Sequence, residues 1–306
     1  MNSFLDFETE YSKYDIYESE FIINVDKSTE QVRQYIVAAV IKDIKLDDET
    51  IRQIITMQED LHNGIGRKRK KVAIGIHNLD VIKSPLEYIT VDDSFSFIPL
   101  NKDSDMTVKE ILNSEIGNQY ADILSGHNRY PIIRDANKQV LSFPPIINGD
   151  LTRLDSKTTN LFIDVTGTDL DAVSNALSVL FTTLNDAGGK VQSVEINVNS
   201  SKIRTPEVND NTMEVETEYV RSLLGLEISE KEIIEYLRRC RILGEISGNK
   251  VVIKTEPFRF DLIHPVDVIE EIGLGYGIHN LEPTLPGSDM TCLLYTSPSP
   301  RDQRGS

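Results

Sequence analysis

Four carboxylates fall within eleven residues in the stretch FRFDLIHPVDVIEEIGLGYG, residues 258–277: Asp261, Asp267, Glu270 and Glu271. Acids held that close repel one another unless positive charge sits among them, and hard oxygen donors at this density suit Mg²⁺. His264-Pro265 predicts the start of a helix, because proline fits the first helical turn and Asp267 follows closely. A helix running on to Glu271 places Asp267, Glu270 and Glu271 on one face at i, i+3 and i+4, with Asp261 opposite them on the preceding extended segment. The plainer reading is a helix N-terminus whose dipole attracts acids without any metal.

Two other stretches hold groups that do chemistry. Arg67, Lys68, Arg69, Lys70 and Lys71 form a run of five basic residues. Such a run can grip a phosphate backbone, or simply face solvent ahead of the next strand. NLFIDVT, residues 160–166, reads as a strand with Asp164 in the middle of an apolar run. An acid there either pairs inside the fold or points into a pocket. SFPPIING, residues 142–149, reads as a rigid extended loop, since two adjacent prolines do not sit within a paired strand interior. Asn148-Gly149 would be its turn. A loop already rigid makes a good pocket wall, because binding costs it little further entropy.

Other candidates are set aside. His77, His127, His264 and His279 are too scattered for a zinc set. GLGYG at 273–277 follows a helix and not a strand, so it reads as a helix stop and not as a dinucleotide loop. Cys240 lies in an apolar helical context and reads as core.

The elements that must position these groups alternate. Strands are predicted at 20–25 and 35–44, then a helix from the Asp47-Asp48 cap to about His62 with Ile51, Ile54, Ile55, Gln58 and Leu61 inward. A strand at 72–76 contains Gly75, a sign of close backbone approach. Thr107 and Glu110 form a capping box for a helix pattern over 107–124. Short strands at 130–135 and 139–141 are joined by a turn at 136–138. Asp169 opens a helix with Val173, Leu177, Leu180, Phe181 and Leu184 inward, and a strand follows at 191–198. A polar linker at 199–210 leads to a helix at 217–224, a Ser229/Glu232 capping box, a hairpin at 245–254 and the acid-bearing helix. The fold class is α+β: a mixed α/β domain followed by a small winged-helix-like domain.

Composition narrows the function classes. With 49 Asp+Glu against 32 Lys+Arg and a net charge of −17, the chain is no general polyanion binder, and DNA is not an expected partner. A hydrophobic content of 39% supports packed cores. No apolar run reaches a membrane span, no signal peptide is visible, and two cysteines make no disulfide framework, so a reducing cytoplasmic setting is expected. Residues 1–20 are polar and acidic with no core pattern. Residues 292–306, CLLYTSPSPRDQRGS, break abruptly in composition and read as a sequencing adapter translated in frame. The chain reads as an internal piece of a longer protein.

From residue 36 to 285, GRKRKKVAIGIHNLD, SFPPIING, NLFIDVTGTD, LLGLEIS and FRFDLIHPVDVIEEIGLGYG occur in the order of one family. The chain resembles the phenylalanyl-tRNA synthetase β subunits of the archaeal and eukaryotic cytosolic type. The resemblance implies a tRNA-editing domain at 21–198, a small helix-hairpin domain at 199–283, and the start of a further region at 284–291. It implies a partner α subunit in an α2β2 assembly, with ATP bound in α, and tRNA(Phe) as substrate. It also implies that this piece hydrolyses tyrosine wrongly attached to that tRNA. An apolar pocket cannot strongly reject tyrosine for its one extra hydroxyl, so a second site must read that group. By motif, the implied editing residues are Ser142, Asn148, Asp164 and Thr166, with Ile133, Pro144, Pro145 and Gly167 as walls. Asp164 would read the tyrosyl hydroxyl while the others hold the ester and a positioned water. The four acids match the family's Mg²⁺ ligands, in a site shared with α, and the basic run becomes a tRNA contact. The alternative is a non-catalytic tRNA- or subunit-binding scaffold with a vestigial pocket.

Overall fold

Apolar runs buried on both faces must be central strands of a covered sheet. The computed structural model describes residues 14–208 and 211–281. In it β1 (Ile16–Val25) and β2 (Tyr35–Lys42) precede α1 (Asp48–Asn63), which Asp47 caps through Thr50 N. Next come β3 (Val72–Asn78), β4 (Leu86–Val91), and the small pair β5 (Ser96–Phe97) and β6 (Met106–Thr107). The Thr107/Glu110 capping box opens α2 (Val108–Leu112), but the helix pattern expected over 107–124 is broken. Ser114 accepts from Gly117 N and starts a separate α3 (Glu115–Tyr120). β7 (Tyr130–Arg134), β8 (Val140–Phe143), β9 (Ile147–Asn148) and β10 (Leu161–Gly167) follow. Asp169 caps α4 (Leu170–Asp186), and β11 (Lys190–Val198) and β12 (Ser201–Thr205) close the first unit.

The large sheet runs β3-β10-β2-β11-β1-β4-β7-β8-β9, with β12 paired to β11. β1 is parallel to β11 and to β4, and the remaining pairs are antiparallel. Helix α4 covers one face, with Val173, Leu177, Leu180 and Phe181 packed among Val37, Ile41, Ile163 and Val165. On the other face Ile36, Ala38, Val40 and Phe162 pack against Tyr88, Ile133 and Leu141, which come from the far end of the same sheet. The sheet therefore curls over itself.

Three expectations need correction. Residues 16–20 are not a patternless leader but the first half of β1, and Tyr14 is buried edge-on to Phe181 at 6.0 Å. Residues 142–149 are not an extended loop. Ser142 pairs with Asn148 and Phe143 with Ile147 as a tight hairpin, and Pro144-Pro145 form its turn, closed by Ile146 N donating to Phe143 O at 2.8 Å. Neither proline occupies a ladder position, so their missing N–H groups cost no pairing. Gly149 is needed for space: a Cβ there would strike Val140 O. Finally, the polar linker contains β12. The β2–β11 ladder stops at Ala39. Beyond it the Thr205 hydroxyl donates to Ala38 O at 2.8 Å and accepts from Ala38 N at 2.9 Å, standing in for the ladder bonds.

The second unit has a strand that sequence patterning missed, β13 (Asn211–Glu216), followed by α5 (Thr217–Leu224) and α6 (Glu230–Arg239). Then come the expected hairpin, β14 (Leu243–Ser247) and β15 (Lys250–Thr255), and α7 (Pro265–Tyr276). The strand order is β13-β15-β14. Gly225, at φ +66°, ends α5 in the left-handed conformation. Val220, Ile233, Leu237, Ile253, Val268 and Ile272 make the core. Residues 1–13, and the 284–291 and 292–306 segments, lie outside the described residues.

Thr205→Val leaves both Ala38 backbone groups without partners and is expected to lower unfolding free energy by about 2 kcal/mol. Thr205→Ser keeps the hydroxyl and should cost about half that or less; urea unfolding of both variants measures the difference.

Candidate functional site

The curl of the sheet carries the β8–β9 hairpin over β10 and towards α1. A cavity of about 460 Å³ opens there. Ile51, Ile54 and Ile55 supply an apolar wall from α1, and Pro144 and Pro145 form another. Ile55 was expected in the core but is 51% exposed and borders the cavity instead. Ser142, Asn148 and Asp164 also line it, and Ser142 Oγ donates to Asn148 Oδ1 at 3.2 Å.

Three expected residues lie elsewhere. Thr166 is fully buried, and Arg33 fixes it by donating from Nε to Oγ1 at 3.0 Å and from Nη2 to the carbonyl at 2.7 Å. Burial lowers the Arg33 guanidinium to about 10. Ile133 packs inside the apolar core, and Gly167 sits against Lys71 O and the Val173 side chain.

Asp164 sits mid-strand beside Ala38 on β2 and Gly75 on β3. Its Oδ1 is 2.8 Å from His77 Nε2, and His77 Nδ1 is 2.7 Å from Thr152 Oγ1. His77, Thr152 and Asp164 are each at most 1% exposed. A Cβ on Gly75 would collide with both Asp164 Oδ1 and His77 Nε2, so glycine there makes room for the pair. Sequence reading flagged Gly75 but missed His77 and Thr152, although His77 shares Gly75's strand face by simple alternation.

The cavity wall is tied together by the basic run. Arg69 Nη2 meets Glu59 Oε1 at 2.6 Å, Nη1 donates to Pro145 O and Ile146 O at 3.3 and 3.2 Å, and the guanidinium lies 4.4 Å from the Tyr120 ring centroid. One side chain thus clamps α1, the proline hairpin and α3. Arg67, Lys68 and Arg69 are consecutive left-handed residues at φ 47°, 55° and 64°, a conformation that costs about 1–2 kcal/mol per residue. Lys71 pairs with Asp169 at 2.6 Å. Of the five residues expected as possible tRNA contacts, Arg69 and Lys71 are thus engaged within the fold, whereas Arg67, Lys68 and Lys70 are exposed.

Beside this clamp, α1 satisfies the outer edge of β3. Gln58 Nε2 donates to Ile74 O at 2.8 Å, and Ile74 N donates to His62 Nε2 at 2.8 Å. Burial, and then Arg69, push His62 down from 6.5 to about 4. Burial pushes Glu59 up, but Arg69 and His62 outweigh it and leave the carboxyl below its usual range.

The four acids of the second unit do not assemble as Mg²⁺ ligands. Arg259 Nη2 lies 2.8 Å from Asp261 and 2.6 Å from Glu271, so an arginine supplies the positive charge. Asp267 Oδ2 accepts from Ile263 N and His264 N at 2.8 and 2.7 Å, a helix cap. Glu270 is exposed. Among the described residues no three His, Cys, Asp or Glu converge to hold a metal. Within this chain three of the four acids are already engaged, by Arg259 or by backbone N–H groups, and Glu270 by itself does not fit the ion. Cys240 is buried, and burial pushes its thiol up to about 12, as expected of a core residue.

A tRNA synthetase B5 domain family model matches residues 213–278. The phenylalanine–tRNA ligase β subunit of Archaeoglobus fulgidus is 44% identical over 287 residues, 94% of this chain and 52% of that protein. That of Methanosphaera stadtmanae is 40% identical over 290 residues, with the same coverage of 94% and 52%. The crystal structure of an N-terminal fragment of the phenylalanyl-tRNA synthetase β subunit from Pyrococcus horikoshii superposes with a TM-score of 0.87 at 37% identity, covering 90% of this chain and 80% of that one. The chain spans about half the length of the curated relatives it matches. No helix among the described residues is long and apolar enough to cross a membrane.

His62 carries a pH prediction. Its folded pKa of about 4 lies below its ordinary 6.5. The unfolded chain therefore takes up the proton first as pH falls, and the contribution of neutral His62 is complete above 6.5 and lost towards 4. The expected loss by about pH 4.5 is on the order of 2 kcal/mol. His62→Gln keeps an acceptor for Ile74 N and should flatten this part of the stability–pH curve, measured by urea unfolding between about pH 4.5 and 7.

Proposed function

The chain belongs to the phenylalanyl-tRNA synthetase β-subunit family, and on that premise we propose that its cavity is an editing site which hydrolyses tyrosine from mischarged tRNA(Phe). The observation that carries this reading is Asp164, a carboxylate 1% exposed that lines a largely apolar cavity. Ile54 and the two prolines suit an aromatic ring, and a volume of about 460 Å³ is in the range of small-molecule sites. At the end of that ring a carboxylate accepts a phenolic O–H but finds no partner on phenylalanine. A site that reads a hydroxyl in this way discriminates far better than an apolar pocket asked to exclude one.

Ser142 and Asn148 stand on the same cavity as a hydrogen-bonded pair. Their polar atoms are suited to orient the ester carbonyl and a water. Attack by that water breaks the acyl–oxygen bond, releasing tyrosine and the free ribose hydroxyl. Positioning and polar stabilisation of the developing oxyanion supply the rate. The exposed Arg67, Lys68 and Lys70 are chain neighbours of Arg69, which lines the cavity, and suit the tRNA backbone. In the complete protein, editing would accompany phenylalanyl-tRNA formation with an α partner.

Deacylation of Tyr-tRNA(Phe) by the full β subunit with its α partner tests the proposal. Asp164→Ala should lower kcat/KM about 100-fold and Ser142→Ala about tenfold. Unchanged cleavage in both variants would remove the site assignment. Replacing Arg67, Lys68 and Lys70 with serine should weaken tRNA binding and reduce its salt slope by about one for each phosphate no longer neutralised. Salt-sensitive tRNA binding with no deacylation at all would favour the scaffold reading instead.

A further inference from the structure

We infer that His77 is a positioning residue that sets the selectivity of the cavity: backed by Thr152, it fixes one oxygen of Asp164 and turns the other towards a ligand hydroxyl. This rests on the editing reading and names the residue that aims its discriminating group. With Asp164 as a carboxylate, which can only accept, His77 Nε2 is the donor in the 2.8 Å bond to Oδ1. Thr152 Oγ1 closes the other side of the ring at 2.7 Å. The imidazole is wholly buried, with its centroid 6.2 Å from the Phe162 ring, so it has no room to turn. Among the described residues, no donor reaches Asp164 Oδ2, and the little surface Asp164 keeps faces the cavity.

The surroundings are shaped for this arrangement. Ala38 and Gly75 flank Asp164 on the two neighbouring strands, and any side chain at 75 would displace the pair. A buried histidine–carboxylate pair gains little as pure structure, since apolar residues of similar volume commonly stabilise as well or better. Its place at a cavity wall, with one oxygen held and one left over, is what recognition of a single hydroxyl donor on an aromatic ring requires. His77 itself touches no ligand.

Two near-isosteric variants separate aim from fold. The amide nitrogen of His77→Gln falls close to the position of ring Nε2 and retains the bond to Asp164. His77→Asn is too short to reach it and keeps only the Thr152 side. In the full enzyme with its α partner, the ratio of kcat/KM for Tyr-tRNA(Phe) over Phe-tRNA(Phe) should fall about tenfold or more in His77→Asn and stay within about threefold in His77→Gln. tRNA affinity, read alongside, should be similar in both, while His77→Asn, which leaves Asp164 without its buried partner, should unfold at a lower temperature than His77→Gln, so both are assayed well below their unfolding midpoints. An equal loss on both esters, or a wild-type ratio in His77→Asn while the parent enzyme edits normally, overturns the role of His77 alone. If the parent enzyme cleaves neither ester, the editing reading fails and this inference falls with it.

Discussion

A carboxylate in the middle of a strand that is buried on both faces is the constraint around which the first unit is arranged. Taking an ionised group out of water costs several kcal/mol even in real protein interiors, unless it is paired and hydrogen-bonded. Asp164 obtains that pairing from His77 on the adjacent strand, and His77 obtains its own from Thr152. The pair needs space, which Gly75 and Ala38 provide by giving up apolar bulk. Thr152 follows directly after the β8–β9 hairpin, so the hydrogen-bonded chain also fixes where the hairpin returns to the body. The cavity floor and its proline wall are thus parts of one polar network set in an otherwise apolar sheet.

Arginine holds the rest. In a chain of net charge −17, basic residues would be expected to serve solubility or ligand contact. Instead Arg33 is buried against Thr166, Arg69 clamps α1 to the hairpin, and Arg259 joins Asp261 to Glu271. The planar guanidinium suits this work because it donates to several carbonyl and carboxylate oxygens at once. Burial by itself would lower Arg259, but its bonds to Asp261 and Glu271 outweigh that and raise it. The clamp at Arg69 also explains how a left-handed run of three non-glycine residues persists: neighbouring contacts over-determine it.

The two units divide the labour by chemistry. The first buries polar groups around a cavity, whereas the second packs an apolar cluster, buries Glu256 against Arg241 at 3.0 Å, pairs Asp261 and Glu271 with Arg259, and uses Asp267 as a cap. A family match over 213–278 falls wholly on that second unit, while the likeness to the Pyrococcus fragment covers 90% of this chain. Membership of the family therefore rests on both units together.

Much of the order of elements was legible in the sequence, because helix caps and strand alternation are local signals, but β4, β12 and β13 were not. Asp47, Ser229/Glu232 and Gly225 mark their helix ends through bonds to backbone a few residues away, and α4 shows its buried stripe by period alone. An acid within an apolar strand marked Asp164, and resemblance to the family's motifs marked Ser142 and Asn148. Partnership across the sheet was not legible. Nothing local says that His77 meets Asp164, that Thr205 bonds Ala38 across 167 residues, or that Arg69 reaches Pro145. Thr166 and Ile133 fell off the cavity and Arg259 took the place expected of a metal for the same reason: which side chains converge depends on how the sheet curls and which charges it encloses. Sequence marked the helix caps, the central apolar strands and the residue types, because those signals are local; tertiary structure alone added β4, β12 and β13 and decided which side chains share a pocket.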